Sequence, residues 1–307
     1  MIKIGYFADG PWSHKAIEYI SNSNLFKIVF IVPRYDRKDP VLAQWANKLD
    51  VPFLVCKNVN DASFLEEISK YEADIFISMS FNQILKKSIL LLPPMGFLNC
   101  HAGALPFYRG RNPLNWVLIN GEKSFGITAH FIDEGIDTGP ILHQEHFSIH
   151  DDDNYGTLLE LAVIKCAEVL LKGLNKIADG NYRLVEQDEI HPVGTYFSQR
   201  KQGDEFVSFF WDATRFHNFV RALSAPSPEA RFRIGAKEFS IVRTELISGA
   251  PNYISTEGEV VGRNHNGIIV KVADKTLLIN SIRDLNSIEH ASFTPQFPIG
   301  TRLEGRK

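Results

Sequence analysis

Short apolar runs alternate with helix-like segments along the first two thirds of this 307-residue chain. Runs rich in β-branched and aromatic residues predict buried strands at Ile2–Phe7, Lys27–Val32, Phe53–Val55 and Asp74–Met79. Apolar residues at helical spacing predict the helices between them, at residues 13–22, 40–49 and 61–71. Strands that alternate with helices in this way form parallel sheets covered on both faces. The predicted fold class is therefore α/β, with a Rossmann-like, parallel-rich sheet.

The last third of the chain has a different pattern. A polar segment at 180–205 predicts a linker, and Asp212 beyond it predicts the N-cap of a helix. Short strand-like runs follow, separated by turn signals at Gly235-Ala236, Asn266-Gly267 and Ala273-Asp274. We therefore expect a first domain at 1–200 and a second domain at 206–307, the second being a small OB-like β-barrel.

Composition excludes several classes of protein. The net charge of −3 gives no global field that would recruit nucleic acid or an anionic membrane. Three cysteines, odd in number and widely spaced, indicate a reducing compartment and exclude a disulfide framework, so we expect a cytoplasmic protein. The longest uncharged stretch, at 88–108, is interrupted by prolines and polar residues, and it predicts no membrane span.

Three histidines, His143, His146 and His150, lie at a spacing that would align on a helix. Their neighbours predict a strand, however, and a strand would point His143 and His146 to opposite sides. Because metal ligands must converge on one point, we expect no metal site here.

The polar residues between 99 and 139 carry the strongest chemical signal. Asn99 and His101 are two residues apart after an apolar run, so a strand would place both side chains on one face at its end. Asp137 follows inside a turn bracketed by Gly135 and Gly139. An amide, an imidazole and a carboxylate can stabilise an oxyanion, accept a proton and orient the imidazole. No serine or cysteine nucleophile is needed if the attacking group is an amine of the substrate.

Each of these residues also has a simpler structural interpretation. Asn99 could satisfy a turn, His101 could be a hydrogen-bonded buried histidine, and Asp137 could form an Asx-turn. The segment between them, residues 102–113, is long and rich in glycine, aromatic residues and arginine. Loops of this kind are commonly functional, so the combination favours a catalytic site.

Three motifs in this region resemble those of the methionyl-tRNA formyltransferase-like family. They are Asn99-Cys100-His101, Leu105-Pro106-Phe107-Tyr108-Arg109-Gly110 and Asp133-Glu134-Gly135-Ile136-Asp137-Thr138-Gly139. Within the family, residues 111–122 look most like the formyltransferase half of the bifunctional UDP-4-amino-4-deoxy-L-arabinose enzyme. The stretch at 102–105 departs from the usual family sequence, so local loop contacts are expected to differ.

The resemblance implies an N-formyltransferase that uses N10-formyltetrahydrofolate. Its acceptor would be the amine of a UDP- or dTDP-linked amino sugar, in the biosynthesis of cell-surface polysaccharide such as lipopolysaccharide. The implied catalytic residues are Asn99, His101 and Asp137. The implied folate-binding residues are Phe81, Gln83, Ile84, Leu85, Asp133 and Gly135, with main-chain groups reading the pterin. The candidate residues for the nucleotide-sugar are Gly10, Tyr108, Arg109, Arg111 and Asn112, and the barrel face could serve a homodimer.

Two alternatives stay open from the sequence. The first is methionyl-tRNA formyltransferase itself, although the loop at 33–40 carries three basic and two acidic residues and is short for binding tRNA. The second is a non-catalytic folate- or nucleotide-binding module with an oligonucleotide-binding barrel. Such a barrel should interleave aromatic and basic residues, and the strands at 230–282 offer little beyond Phe232 and Phe239.

Overall fold

The computed structural model describes residues 1–289 and 291–306, which fold into two compact units. The first unit comprises Met1–Pro113, Ser124–Ser148 and Glu160–Phe197, and the second comprises Leu114–Lys123, Ile149–Leu159 and Ser198–Lys307. Lys307, the end of the predicted second domain, lies outside the described residues. The predicted domain ranges, 1–200 and 206–307, stay predictions.

The first unit is built on a six-stranded sheet in the order β2-β1-β3-β4-β6-β7. Its strands are β1 (Ile2–Ala8), β2 (Phe26–Pro33), β3 (Ile75–Met79), β4 (Phe97–His101), β6 (Ser124–Phe131) and β7 (Ile141–Ser148). The first four pair in parallel, and β6 and β7 add antiparallel strands at one edge. The predicted parallel-rich α/β sheet is therefore confirmed. A two-stranded sheet joins β5 (Arg109–Gly110) to β8 (Tyr196–Phe197).

The helices between these strands largely follow the sequence pattern. They are α1 (Gly10–Ser21), α2 (Pro40–Leu49), α3 (Ala62–Ser69), α4 (Lys87–Leu90), α5 (Pro113–Ile119), α6 (Tyr155–Asp179) and α7 (Gln187–Ile190). The predicted strand Phe53–Val55 is wrong, because this segment forms only an isolated bridge from Phe53 to Ile31. Pro52 has no N–H to extend the ladder on one side, and the chain bonds β2 only through the N–H and C=O of Ile31.

Aromatic rings from neighbouring strands fill the core of the first unit. Phe7, Phe30, Phe76 and Phe97 are buried, and their ring centroids lie 5.0 to 5.9 Å apart in the contacting pairs. Gly5 makes this packing possible, because a Cβ there would lie 2.3 Å from Phe30 and 2.6 Å from Phe76. Packing of this kind holds the strands rigidly, so the side chains at their ends keep fixed positions.

The second unit contains a six-stranded antiparallel sheet. Five strands follow the order β11-β12-β13-β10-β9, and β14 (Ser292–Phe293) pairs with β13. The bounds are β9 (Ala230–Ile234), β10 (Lys237–Leu246), β11 (Val260–Asn264), β12 (Gly267–Lys271) and β13 (Thr276–Asp284), with α8 at Ala213–Ala222. The three predicted turns fall between these strands, and Asp212 caps α8 as expected, accepting a hydrogen bond from the Arg215 N–H at 2.8 Å.

The chain near residues 300–304 bonds to both edge strands of this sheet. Val260 and Thr301 are joined by a main-chain hydrogen bond of 2.9 Å, and Arg233 and Glu304 exchange two of 2.8 Å. Such bridging is what barrel closure requires. The finer OB-like assignment stays a prediction. Across the part of the chain described here, no helix has the length and apolar character needed to cross a bilayer.

Candidate active site

Two of the three predicted catalytic side chains, those of Asn99 and His101, lie at the carboxyl end of β4, an interior strand of the sheet. Asn99 and His101 alternate with Cys100, whose thiol points away from them and donates to the Cys166 carbonyl at 3.4 Å. This is the two-residue period that the sequence predicted. Ligands in open α/β sheets usually bind at this edge, beyond the carboxyl ends of the strands. The thiol of Cys100 therefore does not face the amide and imidazole on either side of it.

The imidazole of His101 is held by the loop that follows β4. Its Nε2 lies 2.7 Å from the carbonyl oxygen of Tyr108, which can only accept, so Nε2 carries the proton. Gly103 allows this approach, because a Cβ there would lie 2.6 Å from Nε2 and 2.7 Å from the Tyr108 oxygen. In the neutral ring Nδ1 is then unprotonated and able to accept a proton. Tyr108 O, rather than Asp137, therefore sets the tautomer.

The carboxylate of Asp137 faces both histidines of the site. Its Oδ2 lies 3.6 Å from His101 Nδ1, and its Oδ1 lies 3.6 Å from His130 Nε2. Oδ2 also accepts a hydrogen bond of 2.8 Å from the Gly110 N–H. Burial alone would raise the pKa of Asp137, but the positive charge that the two imidazoles carry when protonated, together with this N–H, outweighs it and holds the pKa well below its usual range. Asp137 is therefore an anion at physiological pH.

His130 is a member of this cluster that the sequence interpretation missed. It lies on β6 directly opposite Asn99, in the antiparallel register that joins β4 to β6. Its Nδ1 donates to the Phe131 carbonyl at 2.9 Å, which leaves Nε2 to accept from Asn99 Nδ2 at 3.1 Å. His130 therefore orients the Asn99 amide, and the second N–H of Nδ2 remains for a substrate oxygen.

Gln187 is a second residue that the sequence interpretation missed. This buried side chain donates from Nε2 to the carbonyl oxygens of Asp137 and Gly139, both at 2.8 Å. Its Oε1 accepts from Arg109 Nε at 2.8 Å. Asp137 itself has a left-handed backbone, with φ of 54°, which is costly for a residue other than glycine. Gln187 thus fixes the turn that presents the carboxylate.

The predicted folate residues after β3 divide into two groups. The Phe81 ring packs against Phe7 at 5.6 Å and Leu85 is buried, so these side chains belong to the core, whereas Ile84 is 81% exposed. The Gln83 side chain ties the loop to the preceding segment through Val59 N and Cys56 O. Within the described residues, the main-chain groups of Gln83 and Leu85 form no hydrogen bond. They are therefore available to a ligand, and their contact with a pterin stays a prediction.

Asp133 and Gly135 organise the turn that carries Asp137. Asp133 Oδ1 accepts from the Gly135 N–H at 3.0 Å and from Thr138 Oγ1 at 2.6 Å. A Cβ at Gly135 would lie 2.0 Å from Thr138 Oγ1, so the turn has no room for a side chain there. Any contact of these two residues with folate would therefore come mainly from their main chain.

The predicted nucleotide-sugar residues differ in how far their polar groups are already bonded within the protein. The N–H of Gly10 donates to Asp39 Oδ2 at 2.9 Å, and Arg109 is held by Gln187 and by the Val193 carbonyl, so both support the scaffold. The Tyr108 ring stacks on Phe197 at 5.2 Å. Arg111 and Asn112 are exposed at the end of the loop, with Asn112 at φ 56°. These last two have the most freedom to meet a ligand.

Two solved structures share this fold. WlaRD, described as a sugar 3N-formyl transferase crystallised with dTDP and 5-N-formyl-THF, matches with a TM-score of 0.68 and 24% identity. The match covers 94% of this chain and 99% of that one. An N-formyltransferase from Helicobacter canadensis, solved with folinic acid and dTDP-3-aminofucose, matches with a TM-score of 0.69 and 22% identity, covering 91% and 99% of the two chains.

Sequence comparison identifies the family. The formyl transferase model matches residues 6–169, and the model of the formyl transferase C-terminal domain matches residues 200–293. Methionyl-tRNA formyltransferase of Clostridium botulinum (strain Alaska E43 / Type E3) is 32% identical over 241 residues, which cover 78% of this chain and 75% of that protein. The chain therefore belongs to the formyl transferase family and is, by that membership, an N10-formyltetrahydrofolate-dependent formyltransferase.

Proposed function

We propose that this enzyme transfers the formyl group of N10-formyltetrahydrofolate to the amino group of a nucleotide-linked amino sugar, for the synthesis of a cell-surface polysaccharide. The grouping of Asn99, His101 and Asp137 at one sheet edge supports the formyl transfer, and the paired arginines of the loop after β2 support the choice of a sugar acceptor. The group offers a hydrogen-bond donor, a proton acceptor and an anion. It suits direct attack by an amine of the substrate on a carbonyl carbon.

The first step is attack of the neutral amine on the formyl carbon. The carbonyl oxygen then becomes an oxyanion, and the N–H of Asn99 that does not bond His130 is the donor that stabilises it. A single donor of this kind contributes about 3–4 kcal/mol to the transition state in well-studied oxyanion holes. Because His130 holds the amide in place beforehand, little reorganisation is needed when the charge develops.

The second step removes a proton from the attacking nitrogen. His101 Nδ1 is the acceptor, since Nε2 is bonded to the Tyr108 carbonyl. The imidazolium that forms lies 3.6 Å from the ionised Asp137, which stabilises it. The proton then passes to the departing folate nitrogen as the C–N bond of the tetrahedral intermediate breaks. Tetrahydrofolate and the formamide product follow, and the side chains return to their starting protonation.

The electrostatics of the loop after β2 support a sugar acceptor over tRNA. In this loop Arg34 contacts Asp36 and Asp9, and Arg37 lies 3.5 Å from Asp9. Arginines that already face carboxylates are less available to nucleic acid phosphates. The two solved structures whose fold this chain shares are described with dTDP or a dTDP-amino sugar, which supports the same acceptor class here.

Methionyl-tRNA formyltransferase is the second candidate, because the curated relatives carry that name at about 30% identity. Both reactions use an amine, and the cluster at β4 suits either one. The acceptor is decided by surfaces that bind the rest of the substrate.

The two candidates are separated by an acceptor assay with N10-formyltetrahydrofolate as donor. We expect turnover with at least one member of a panel of UDP- and dTDP-linked 3-amino and 4-amino sugars, and none with charged initiator tRNA. The Asn99→Ala variant is the matched control for the chemistry. Formylation of the tRNA alone would refute the sugar proposal, and an unchanged rate in folded Asn99→Ala protein would remove Asn99 from the mechanism.

A further inference from the structure

A cavity of about 560 Å³ lies within the second unit and shares no residue with the catalytic cluster. Its walls come from α5, from the segment that begins at Ser198, from α8 and from the end of the chain at Arg306. Sites that bind small molecules typically measure about 300–1,000 Å³. The cavity is thus large enough for a ligand of nucleotide size.

Three arginines, Arg200, Arg215 and Arg306, line this cavity together with two aspartates, Asp204 and Asp212. Among the residues that the structure describes, no carboxylate lies within ion-pair distance of any of these guanidinium groups. Elsewhere in the same unit the arrangement differs, since Arg233 pairs with Glu238 at 2.6 Å and Arg283 pairs with Glu229. The three guanidinium groups and two carboxylates leave the walls with a formal charge of +1, and no direct ion pair joins these groups in the described structure.

The surroundings of Arg200 and Arg306 disfavour their positive charges when no anion is bound. Arg200 Nη2 donates to Ser227 Oγ at 3.0 Å, but its Nε is buried without a hydrogen-bond partner in the described structure. Burial lowers the pKa of Arg200 and of Arg306, and the like charge of Arg215 adds to the effect at Arg306, whereas the nearby carboxylate of Asp204 opposes it at both. Buried donors and crowded cations of this kind are stabilised when an anion with several acceptor oxygens binds.

Aromatic side chains lie next to the guanidinium groups of this cavity. The guanidinium carbons of Arg215 and Arg306 lie 4.7 Å and 4.4 Å from the ring centroid of Trp211. The half-buried indole of Trp116 forms another part of the wall. A flat ring can stack on an indole or on a guanidinium plane, whereas phosphate oxygens pair with the guanidinium edges.

We propose that this cavity is a second ligand site that binds a nucleoside diphosphate, with the diphosphate at Arg200 and Arg306 and the base against the aromatic wall. The proposal does not depend on the acceptor of the formyl group. A nucleotide bound there would contact residues of the second unit and would stabilise that unit.

Tryptophan fluorescence tests this proposal directly. The chain has four tryptophans, and the Trp12→Phe/Trp45→Phe background leaves only the two indoles that line the cavity. We expect UDP to change this emission saturably. Uridine, which has the same chromophore and no phosphate, should give no saturable change over the same concentrations. Inorganic pyrophosphate should bind at least about tenfold more weakly than UDP, because it lacks the stacking base.

Matched charge variants locate the bound nucleotide. Arg306→Gln and Arg200→Gln should each weaken UDP binding by about tenfold, the effect of losing one charge-assisted contact. Arg302→Gln removes the same charge from the same terminal segment, but Arg302 lies 3.6 Å from Glu259 and does not line the cavity. This control should stay within about twofold of the parent protein.

Three results would overturn the proposal. They are an emission that UDP does not change, pyrophosphate binding as tight as UDP binding, and equal losses in Arg306→Gln and Arg302→Gln. A nucleotide held only at the catalytic edge would give that equal response to the two variants. Circular dichroism melts establish that each variant is folded. If Arg306→Gln does not fold, Arg200→Gln still tests the proposal.

Discussion

Two histidine–carboxylate pairs lie in the first unit, and they differ in the distance between imidazole and carboxylate. His14 Nε2 lies 2.7 Å from Asp39 Oδ2, whereas His101 Nδ1 lies 3.6 Å from Asp137 Oδ2. Asp39 also accepts hydrogen bonds from the N–H groups of Gly10, Val41 and Leu42. Among the described residues, the carboxylate of Asp137 accepts one direct hydrogen bond, from the Gly110 N–H.

This difference separates a scaffold pair from a reactive pair. The oxygens of Asp39 are occupied by helix-capping and imidazole contacts, so the pair fixes α1 and α2 and has little capacity left for a ligand. Asp137 is partly buried and anionic, and its two imidazole neighbours lie just beyond hydrogen-bond distance. The His101 pair can therefore tighten when a proton arrives, which is what proton transfer from an amine requires.

The largest expected effect comes from exchanging one histidine of each pair for glutamine. His101→Gln should slow formyl transfer by about 10³-fold, within the usual range for removing a general base. His14→Gln should stay within about threefold of the wild type, because glutamine can still donate to Asp39. Steady-state rates of the two folded variants check this. Equal losses would abolish the distinction between the two pairs.

A smaller effect is expected at His130, which acts through Asn99 and is a positioning residue. His130→Leu should lower kcat by about tenfold with little change in KM, since a misplaced donor weakens binding of the oxyanion more than binding of the substrate. His130→Gln keeps an acceptor for Asn99 Nδ2 and should recover part of the rate. If glutamine is no better than leucine, His130 contributes only packing.

The smallest expected effect is a change in the pH dependence of stability. The pKa of Asp137 is lower in the folded protein than in the unfolded chain, so its stabilising contribution is present above the unfolded pKa, which is about 3.9. It is lost as pH falls from there through the folded pKa. Urea unfolding of wild type and Asp137→Asn should therefore differ most near pH 6 and converge below about pH 4. A gap that widens on acidification would contradict the ionised state assigned to Asp137.

The sequence predicted the elements of the site well where a local rule applied. The period of two placed Asn99 and His101 on one face with Cys100 on the other, and the Gly-bracketed turn located Asp137. The βαβ alternation predicted the parallel sheet. In each case the signal lies within about ten residues, the range over which backbone geometry constrains side-chain direction.

Contacts that depend on long-range register were not predictable in the same way. His130 faces Asn99 only because β4 and β6 pair antiparallel with Leu98 opposite Phe131, and nothing local to either strand specifies that alignment. Gln187 reaches Asp137 across 50 residues of chain. The side chains of Phe81 and Leu85 look suited to a ligand in sequence, yet tertiary packing places them in the core.

A double-mutant cycle on the formyl-transfer rate tests most directly whether His101 and Asp137 act as one unit. Asp137→Asn alone should slow the reaction by about 10²-fold, because the anion that stabilises the imidazolium of His101 would be lost. In the His101→Gln background the same change should cost less than about threefold, since residues that act as a unit are strongly non-additive. Full multiplication of the two losses in the folded double variant would contradict the catalytic pair.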